Sequence, residues 1–313
     1  MDPLSDLLRV VRLDGAHFYT VDAGDPWSVH ALPARELAPR IMPRAEHLIS
    51  YHIITRGRCV GGVLGEEQVE LNAGDIIIFP HGDAHVMASD RGVRVGNDLV
   101  SVAQAQHPNN VLLGEGERGT SLICGFFGCD LHPFNPLLGA LPRRLHLAGM
   151  SNTSLDAFAR RLTEETRSGS AGADAVLTRL AEVMFVEVLR RYLQELGPEQ
   201  TGWLAGLRDP VVGQVLALLH ARPAEAWTLD QLARDANSSR SVVAKRFTEL
   251  VGCPPMQYLA SWRMQLAASR LVQGGAKVAT IAADVGYDSE AAFSRAFKKA
   301  TGLAPGAWRA SRH

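Results

Sequence analysis

Two groups of residues in this sequence have the types and spacings to do chemistry. The first is Arg240, Ser241, Ala244, Lys245 and Thr248, matched 50 residues later by Glu290, Ala291, Ser294, Arg295 and Lys298. On one helix face, small side chains let the backbone approach base edges, while Arg or Lys reaches guanine O6 and N7 or a phosphate. The second group is His52, His81 and His85 with Cys124 and Cys129. Neutral imidazoles bind divalent metals. Cys124 and Cys129 are candidates for redox sensing, because a thiolate near positive charge oxidises readily. Core or rim histidines and buried structural thiols are the plainer and more common roles for the second group.

The elements that must position the first group repeat. Ser239, Phe247, Gly252 and Pro255 recur as Ser289, Phe297, Gly302 and Pro305, with Tyr258 matched by Trp308; such spaced identity marks one supersecondary unit used twice. Each copy opens with a short amphipathic helix, Leu229 to Ala236 and Val278 to Val285. A tight turn follows, in which Asn237 and Gly286 are the residues that tolerate a positive φ. A cap comes next, Ser238 or Ser239 in the first copy and Asp288 or Ser289 in the second. The second helix is expected to bury Val243, Phe247 and Leu250, or Phe293, Phe297 and Ala300, leaving the small-and-basic side outward. Between the copies, Leu259 to Val272 reads as a long helix ending at Gly274-Gly275. Used as a rigid spacer, it lets two recognition helices enter successive major grooves about 34 Å apart.

Charge agrees with that placement. The chain of 313 residues carries a net charge of −1. From Arg208 onward there are 14 Lys and Arg against 8 Asp and Glu, net +6, which leaves 18 against 25, net −7, for the remainder. A basic C-terminal part suits a polyanion because neutralising phosphates releases counterions. The length implies at least two domains, and 46% hydrophobic with 21% charged residues is ordinary for globular chains. No apolar run is long enough to span a membrane, and Met1 to Arg12 lacks a secretory layout, so the expectation is a cytoplasmic protein. Four scattered cysteines make no disulfide framework.

Upstream, LISYHIIT, VELNAGDIIIF, VRVGNDLVSV and SLICGFFG, between His47 and Cys129, read as short strands of a sandwich or barrel. From Thr153 to Leu196 the spacing turns helical, with a break at Ser168 to Gly172 and a stripe of Leu177, Leu180, Ala181, Met184, Val188, Leu189, Tyr192 and Leu196 that suits a core or a dimer interface alike. The periodicity stops near Gly197-Pro198. The expected architecture is α+β and multidomain: a β-barrel over 1–150, a helical connector over 151–200, a linker over 201–207 and an all-α double helix-turn-helix over 208–313.

At these residues a resemblance becomes specific. Leu229 to Arg309 resembles the double helix-turn-helix domain of the AraC/XylS family, most closely along Ile281-Ala-x-x-Val-Gly-Tyr-x-Ser-Glu-x-x-Phe-Ser-Arg-Ala-Phe-Lys-Lys-x-x-Gly-x-x-Pro-Gly306. The resemblance implies base-proximal roles for Ser241, Ala244, Lys245, Ala291 and Arg295. Of these, Lys245 and Arg295 are the expected direct readers, and Arg240, Ser289, Glu290, Ser294 and Lys298 complete the candidate interface. Gly74 to His85, as G-x5-P-x-G-x2-H, looks like the second motif of cupin barrels. It implies a barrel in which His52, His81, His85 and Cys124 hold an effector or a divalent metal, although the first-motif ligands are missing and Ser89 stands where cupins often carry Asn. The whole then reads as a non-enzymatic transcription regulator, of the activator type common in the family. Its expected partners are double-stranded promoter DNA, RNA polymerase, a small-molecule or oxidant effector and a second copy of itself, with no membrane. A cupin enzyme with a DNA-binding appendage and an architectural protein without effector are the rival classes.

Overall fold

The computed structural model describes residues 2–11, 13–43, 45–94, 96, 98–105, 110–149, 154–168, 170–197 and 199–312, with only the backbone for 13–18, 103–105 and 154. Arg12, Val95, Asn97, Thr153, Gly169 and Pro198, which fall in segments read above, lie outside the described residues. In chain order the elements are α1 (Pro3–Val10), β1 (Leu13–Gly24), β2 (Ser28–Ala31), α2 (Ala34–Ile41), β3 (His47–Arg56), β4 (Arg58–Val63), β5 (Val69–Asn72), β6 (Ile76–Phe79), β7 (His85–Ala88), α3 (Leu99–Ala105), β8 (Asn110–Leu113), β9 (Arg118–Cys129), α4 (Pro136–Ala140) and β10 (Leu145–Leu147). Then come α5 (Ser154–Ser168), α6 (Ala173–Glu195), α7 (Trp203–Arg208), α8 (Pro210–Ala221), α9 (Leu229–Asp235), α10 (Arg240–Val251), α11 (Pro255–Gln273), α12 (Val278–Asp284), α13 (Glu290–Thr301) and α14 (Pro305–Ser311). Two compact units divide the chain, one of Leu13–Cys129 with Leu141–Glu195, the other of Met1–Arg12, Asp130–Ala140 and Leu196–His313.

The first unit is the sheet-rich one. A six-stranded sheet, ordered β10-β6-β3-β9-β1-β8, faces a four-stranded sheet, β2-β7-β4-β5. All pairings are antiparallel except β1 with β8. Strand side chains alternate between faces. Val21 and Ala23, Leu48 and Ile54, and Leu122, Cys124 and Phe126 therefore turn into one core with Val29, Leu71 and Met87 of the other strands. Asp22, Ile53, Ser121 and Phe127 take the outer face of the large sheet. Helices α5 and α6 cover that face, with Phe127 and Phe185 rings 5.2 Å apart. Most of the α6 stripe is accordingly core: Leu177, Ala181, Met184, Val188 and Leu189 are buried, while Leu180 and Tyr192 are half-buried.

One expected strand, VRVGNDLVSV, is not a strand: its described residues are irregular chain, an isolated bridge at Asp98 and then helix. In VRVGNDLVSV, the end at Leu99 onward is α3, because Asp98 caps it: its carboxylate accepts the Val100 and Ser101 N–H groups at 3.3 and 3.0 Å. The motif at Gly74 to His85 forms the β5–β6–β7 corner. Asp75, buried there, accepts N–H groups from Asn72 at 3.0 Å and Gly149 at 2.9 Å, which ties β10 to the corner. Gly82 sits at φ 65° with its α-carbon so close to Ala34 that a Cβ would lie 2.2 Å from that methyl, which is why only glycine fits.

The second unit is helical. Residues 2–11 and 130–140 cluster with it rather than with the sheets, so its compact body is not the contiguous 208–313 segment expected from the sequence. The stretch expected as a linker is helix α7, whose Trp203 is 2% exposed, with the indole N–H donating to the Tyr258 hydroxyl at 2.7 Å. The short helix and its neighbouring glycines hide the periodicity that would have marked it as core. Helix α8 starts where Asp209 caps the Val211 and Val212 N–H groups and Pro210 occupies the first turn. Helix α11 begins earlier than expected, at Pro255, and its 19 residues make a spacer about 28 Å long.

Candidate nucleic-acid interface and the barrel cluster

The two halves of the repeat share their turn, serine cap and helix end but differ at the start of the first helix, since α12 has no side-chain cap. Thr228 and Gln231 form a capping box at the start of α9. The chain then turns through Asn237 at φ 49° in the first copy and Gly286 at φ 83° in the second. Ser239 and Ser289 are the caps of α10 and α13, accepting the Val242 N–H at 3.3 Å and the Ala292 N–H at 3.2 Å. This duty engages Ser289, which was expected among the DNA-contacting residues, with its own helix end. Gly252 and Gly302, both left-handed, end the two helices.

The buried sides are Val243 with Phe247 and Phe293 with Phe297. Leu250 is only half-buried and Ala300 is exposed, contrary to the expected burial of both. In the second copy, Phe293, Phe297 and Trp308 pack with Leu271, Ile281 and Val285. The outward sides carry the expected residues: Arg240, Ser241, Lys245, Glu290, Ala291, Arg295 and Lys298 are exposed, and Ala244 and Ser294 are half-buried. Their charges are not equally available. Arg240 pairs with Asp230 at 3.1 Å and Lys245 with Glu249 at 3.9 Å. Arg246, on the same helix, is held by Asp209, the cap of α8. Among the described residues, Arg295 and Lys298 have no carboxylate partner.

One residue that the sequence did not single out fixes the two copies to each other. Arg263 of α11 donates to the carbonyls of Pro223 at 2.7 Å, Glu225 at 2.8 Å and Gly286 at 3.4 Å. The first two belong to the loop ahead of α9 and the third to the turn of the second copy, so a single guanidinium joins both motifs. Its signal in the sequence is faint, since α11 also carries Arg270 and several glutamines and serines.

In the sheet-rich unit, three of the four expected effector or metal residues meet. The His52 ring lies between Cys124 and His85: Nδ1 is 2.8 Å from Cys124 Sγ and Nε2 is 2.8 Å from His85 Nε2. All three are buried in the barrel. His85 Nδ1 is 2.9 Å from the Asp83 carbonyl, which can only accept, so that nitrogen carries the proton. His85 Nε2 must then accept from His52 Nε2–H, and His52 Nδ1 must accept from the Cys124 thiol. The chain is neutral and fully satisfied. Burial lowers His85 to about 4 and holds His52 well below its usual range; it drives the Cys124 thiol well above its own.

His81 is not part of this cluster. It is exposed, and its Nε2 donates to the Leu141 carbonyl at 2.9 Å. His81 sits within the Pro80–Gly82 turn and is exposed, whereas His85 lies on β7 and is buried. Ser89 holds the Trp27 backbone instead, accepting its N–H at 3.2 Å.

The cluster does not fit a metal centre. His52 presents its two nitrogens in opposite directions, so one ion cannot gather Cys124, His52 and His85 together, and the nitrogens of His52 and His85 stand at hydrogen-bond separation. Among the described residues no group of three His, Cys, Asp or Glu is placed to hold a metal. The redox pair fares no better: Cys124 and Cys129 lie on opposite faces of β9, about 16 Å apart along the strand, and both are buried. Neither a disulfide nor an accessible thiolate results. Cys124→Ala is expected to cost about 1–3 kcal/mol in urea unfolding, because it leaves buried His52 Nδ1 unpaired, while Cys124→Ser keeps a donor and most of the stability. Equal losses in the two variants would refute the tautomer chain.

Comparison with known proteins decides between these chemistries. A cupin family model matches residues 2–194 and a helix-turn-helix domain model residues 232–311. A protein of Streptomyces antibioticus named as an AraC-like transcription regulator is 33% identical over 99% of this chain and 98% of its own length. The chain belongs to the AraC family. This AraC-family protein is a DNA-binding transcription regulator with a cupin domain ahead of its reader, and its relatives carry regulator names rather than enzyme names. The HTH-type regulator AlkR of Acinetobacter baylyi is 30% identical over 96% of both chains. Among solved structures, the DNA-binding domain of AdpA in complex with target DNA is 30% identical over 33% of this chain and 92% of that one, with a TM-score of 0.31. ToxT of Vibrio cholerae is 13% identical over 96% and 97%, with a TM-score of 0.36. No described helix is long and apolar enough to cross a membrane.

Proposed function

We propose that this regulator reads a bipartite promoter site with α10 and α13 in successive major grooves, and that a small molecule bound by its sheet-rich unit changes that binding. The observation that carries the first part is the pair of capped helices with small-and-basic outward faces, joined through α11 and Arg263. Arg295 reads a guanine edge, its guanidinium being uncommitted to any described carboxylate; Lys298 and Arg240 meet phosphates; Ser241, Ala244, Lys245, Ala291 and Ser294 line the base-proximal surface, and Glu290 excludes wrong bases by repulsion. The second part follows from two units that an effector can shift between states of unequal DNA affinity. RNA polymerase is the downstream partner in activation. A second copy of the chain is supported by Val176 and Val183, exposed one above the other on α6.

The test is binding of the purified chain to its own upstream intergenic DNA, at fixed salt and against scrambled competitor. Specific binding is expected. Arg295→Ala should weaken it by about 1–3 kcal/mol and relax preference at one position, whereas Lys298→Ala should weaken all sequences alike and lower the salt slope by about one. Unchanged affinity and preference in Arg295→Ala would remove its reading role. Absence of specific binding across a genomic fragment library would remove the bipartite reading.

A further inference from the structure

Helices α5 and α6 do not seal the outer face of the six-stranded sheet. Where β1 and β3 end and β9 begins they leave a cleft of about 720 Å³ beneath α5, within the range of small-molecule sites. It lies outside the barrel, away from the His52 cluster. Its apolar lining includes Ile53, Ala159 and Leu112, the last 49% exposed although it is a leucine on a strand.

The charges around the cleft are unbalanced. Each carboxylate lining it faces an arginine: Asp22 faces Arg167 at 3.7 Å, Asp156 faces Arg160 at 3.4 Å and Glu164 faces Arg161 at 3.4 Å. Arg56 and Arg118, which also line it, face none among the described residues. They are adjacent, since Arg56 donates to the Arg118 carbonyl at 2.7 Å. One terminal nitrogen of Arg118 is spent on the carbonyls of Leu113, Gly114 and Asp22, which anchors the side chain and leaves its other nitrogens without a described acceptor. Guanidinium forks beside an apolar wall suit a planar anion attached to an apolar body.

We propose that this cleft is the effector site and takes a small amphipathic carboxylate, held by Arg56 and Arg118 with its body against Leu112 and Ala159. The assignment rests on the effector-responsive reading above. Titration calorimetry of the full chain with 4-butylbenzoate, 4-butylbenzamide and 4-butylphenyl phosphate tests it. The benzoate should bind saturably, one per chain, with the amide about tenfold or more weaker for want of a charge-assisted hydrogen bond. Arg56→Gln should bring the benzoate down to the level of the amide, and Ala159→Phe should block both. Arg58→Gln, exposed and outside the cleft, should change neither. Absence of saturable benzoate binding, benzoate binding that survives Arg56→Gln, or tighter binding of the phosphate would overturn the assignment.

DNA binding with and without the benzoate separates this inference from the reading it rests on. A shift that Arg56→Gln abolishes supports both. A filled cleft with unchanged DNA affinity overturns the effector role of the cleft. Another small molecule that shifts DNA affinity equally in wild type and Arg56→Gln leaves the regulator effector-responsive and overturns the cleft assignment.

Discussion

Gly286→Ala is expected to destabilise the helical unit by about 3 kcal/mol and to lower the fraction able to engage both half-sites. Two independent effects add. The residue sits at φ 83°, where an L side chain costs about 1–2 kcal/mol. A Cβ there would also lie 2.6 Å from the carbonyl oxygen of Ala224 and 2.8 Å from its Cα, and forcing backbone apart in a packed site costs about 1–3 kcal/mol. Gly302→Ala separates the two effects, because Gly302 has φ 77° with nothing within 4 Å of its would-be Cβ; it should cost only about 1–2 kcal/mol. Urea unfolding followed by tryptophan fluorescence suits the comparison, since Trp203, Trp227, Trp262 and Trp308 all belong to this unit. Equal losses in the two variants would show that the Ala224 contact contributes nothing.

Acid lability is the second large effect. His220 is buried against Trp262, ring centroids 4.1 Å apart, with Nε2 2.7 Å from the Tyr258 hydroxyl. Burial lowers it to about 3, as it lowers His85 in the barrel to about 4. Both groups are neutral in the folded chain and take up a proton near pH 6.5 when unfolded. The unfolded state thus binds more protons below pH 6.5, and stability falls as pH falls. The full contribution is present above pH 6.5; it declines between 6.5 and each folded value and changes no further below that. At about 1.4 kcal/mol per pH unit for each proton, each histidine removes roughly 2 kcal/mol by pH 5. Unfolding free energies from pH 8 to 5 check this. His220→Gln should flatten the slope seen by tryptophan fluorescence by about one proton; an unaltered slope would show that His220 does not carry it.

Much of the reader was legible because its determinants are local. A serine cap, a left-handed Asn237 or Gly286, and apolar positions four apart act within a few residues of themselves, so spacing alone places α10 and α13 and says which side faces out. The family signature across Ile281 to Gly306 is the same local physics written as a pattern. Strands β3, β6 and β9 were legible for a similar reason, as continuous apolar runs between turns.

The sequence did not reveal which residues share a site, because that depends on pairs far apart in the chain. Residue type alone does not set His52 and His85 apart from His81, yet β3, β7 and β9 turn His52, His85 and Cys124 into one core while the Pro80–Gly82 turn sends His81 outward. Trp203 looked like linker until Tyr258, 55 residues on, gave its N–H a partner. Arg263 joins the two motifs, and Arg56 with Arg118 stands beside an apolar wall, only because loops and strands distant in sequence converge on them. Sequence by itself determined what depends on short-range backbone geometry and periodicity: two capped recognition helices with a basic face. Tertiary structure alone decided what depends on long-range packing, since burial sets the neutral protonation of the histidine chain and leaves the cleft under α5 open.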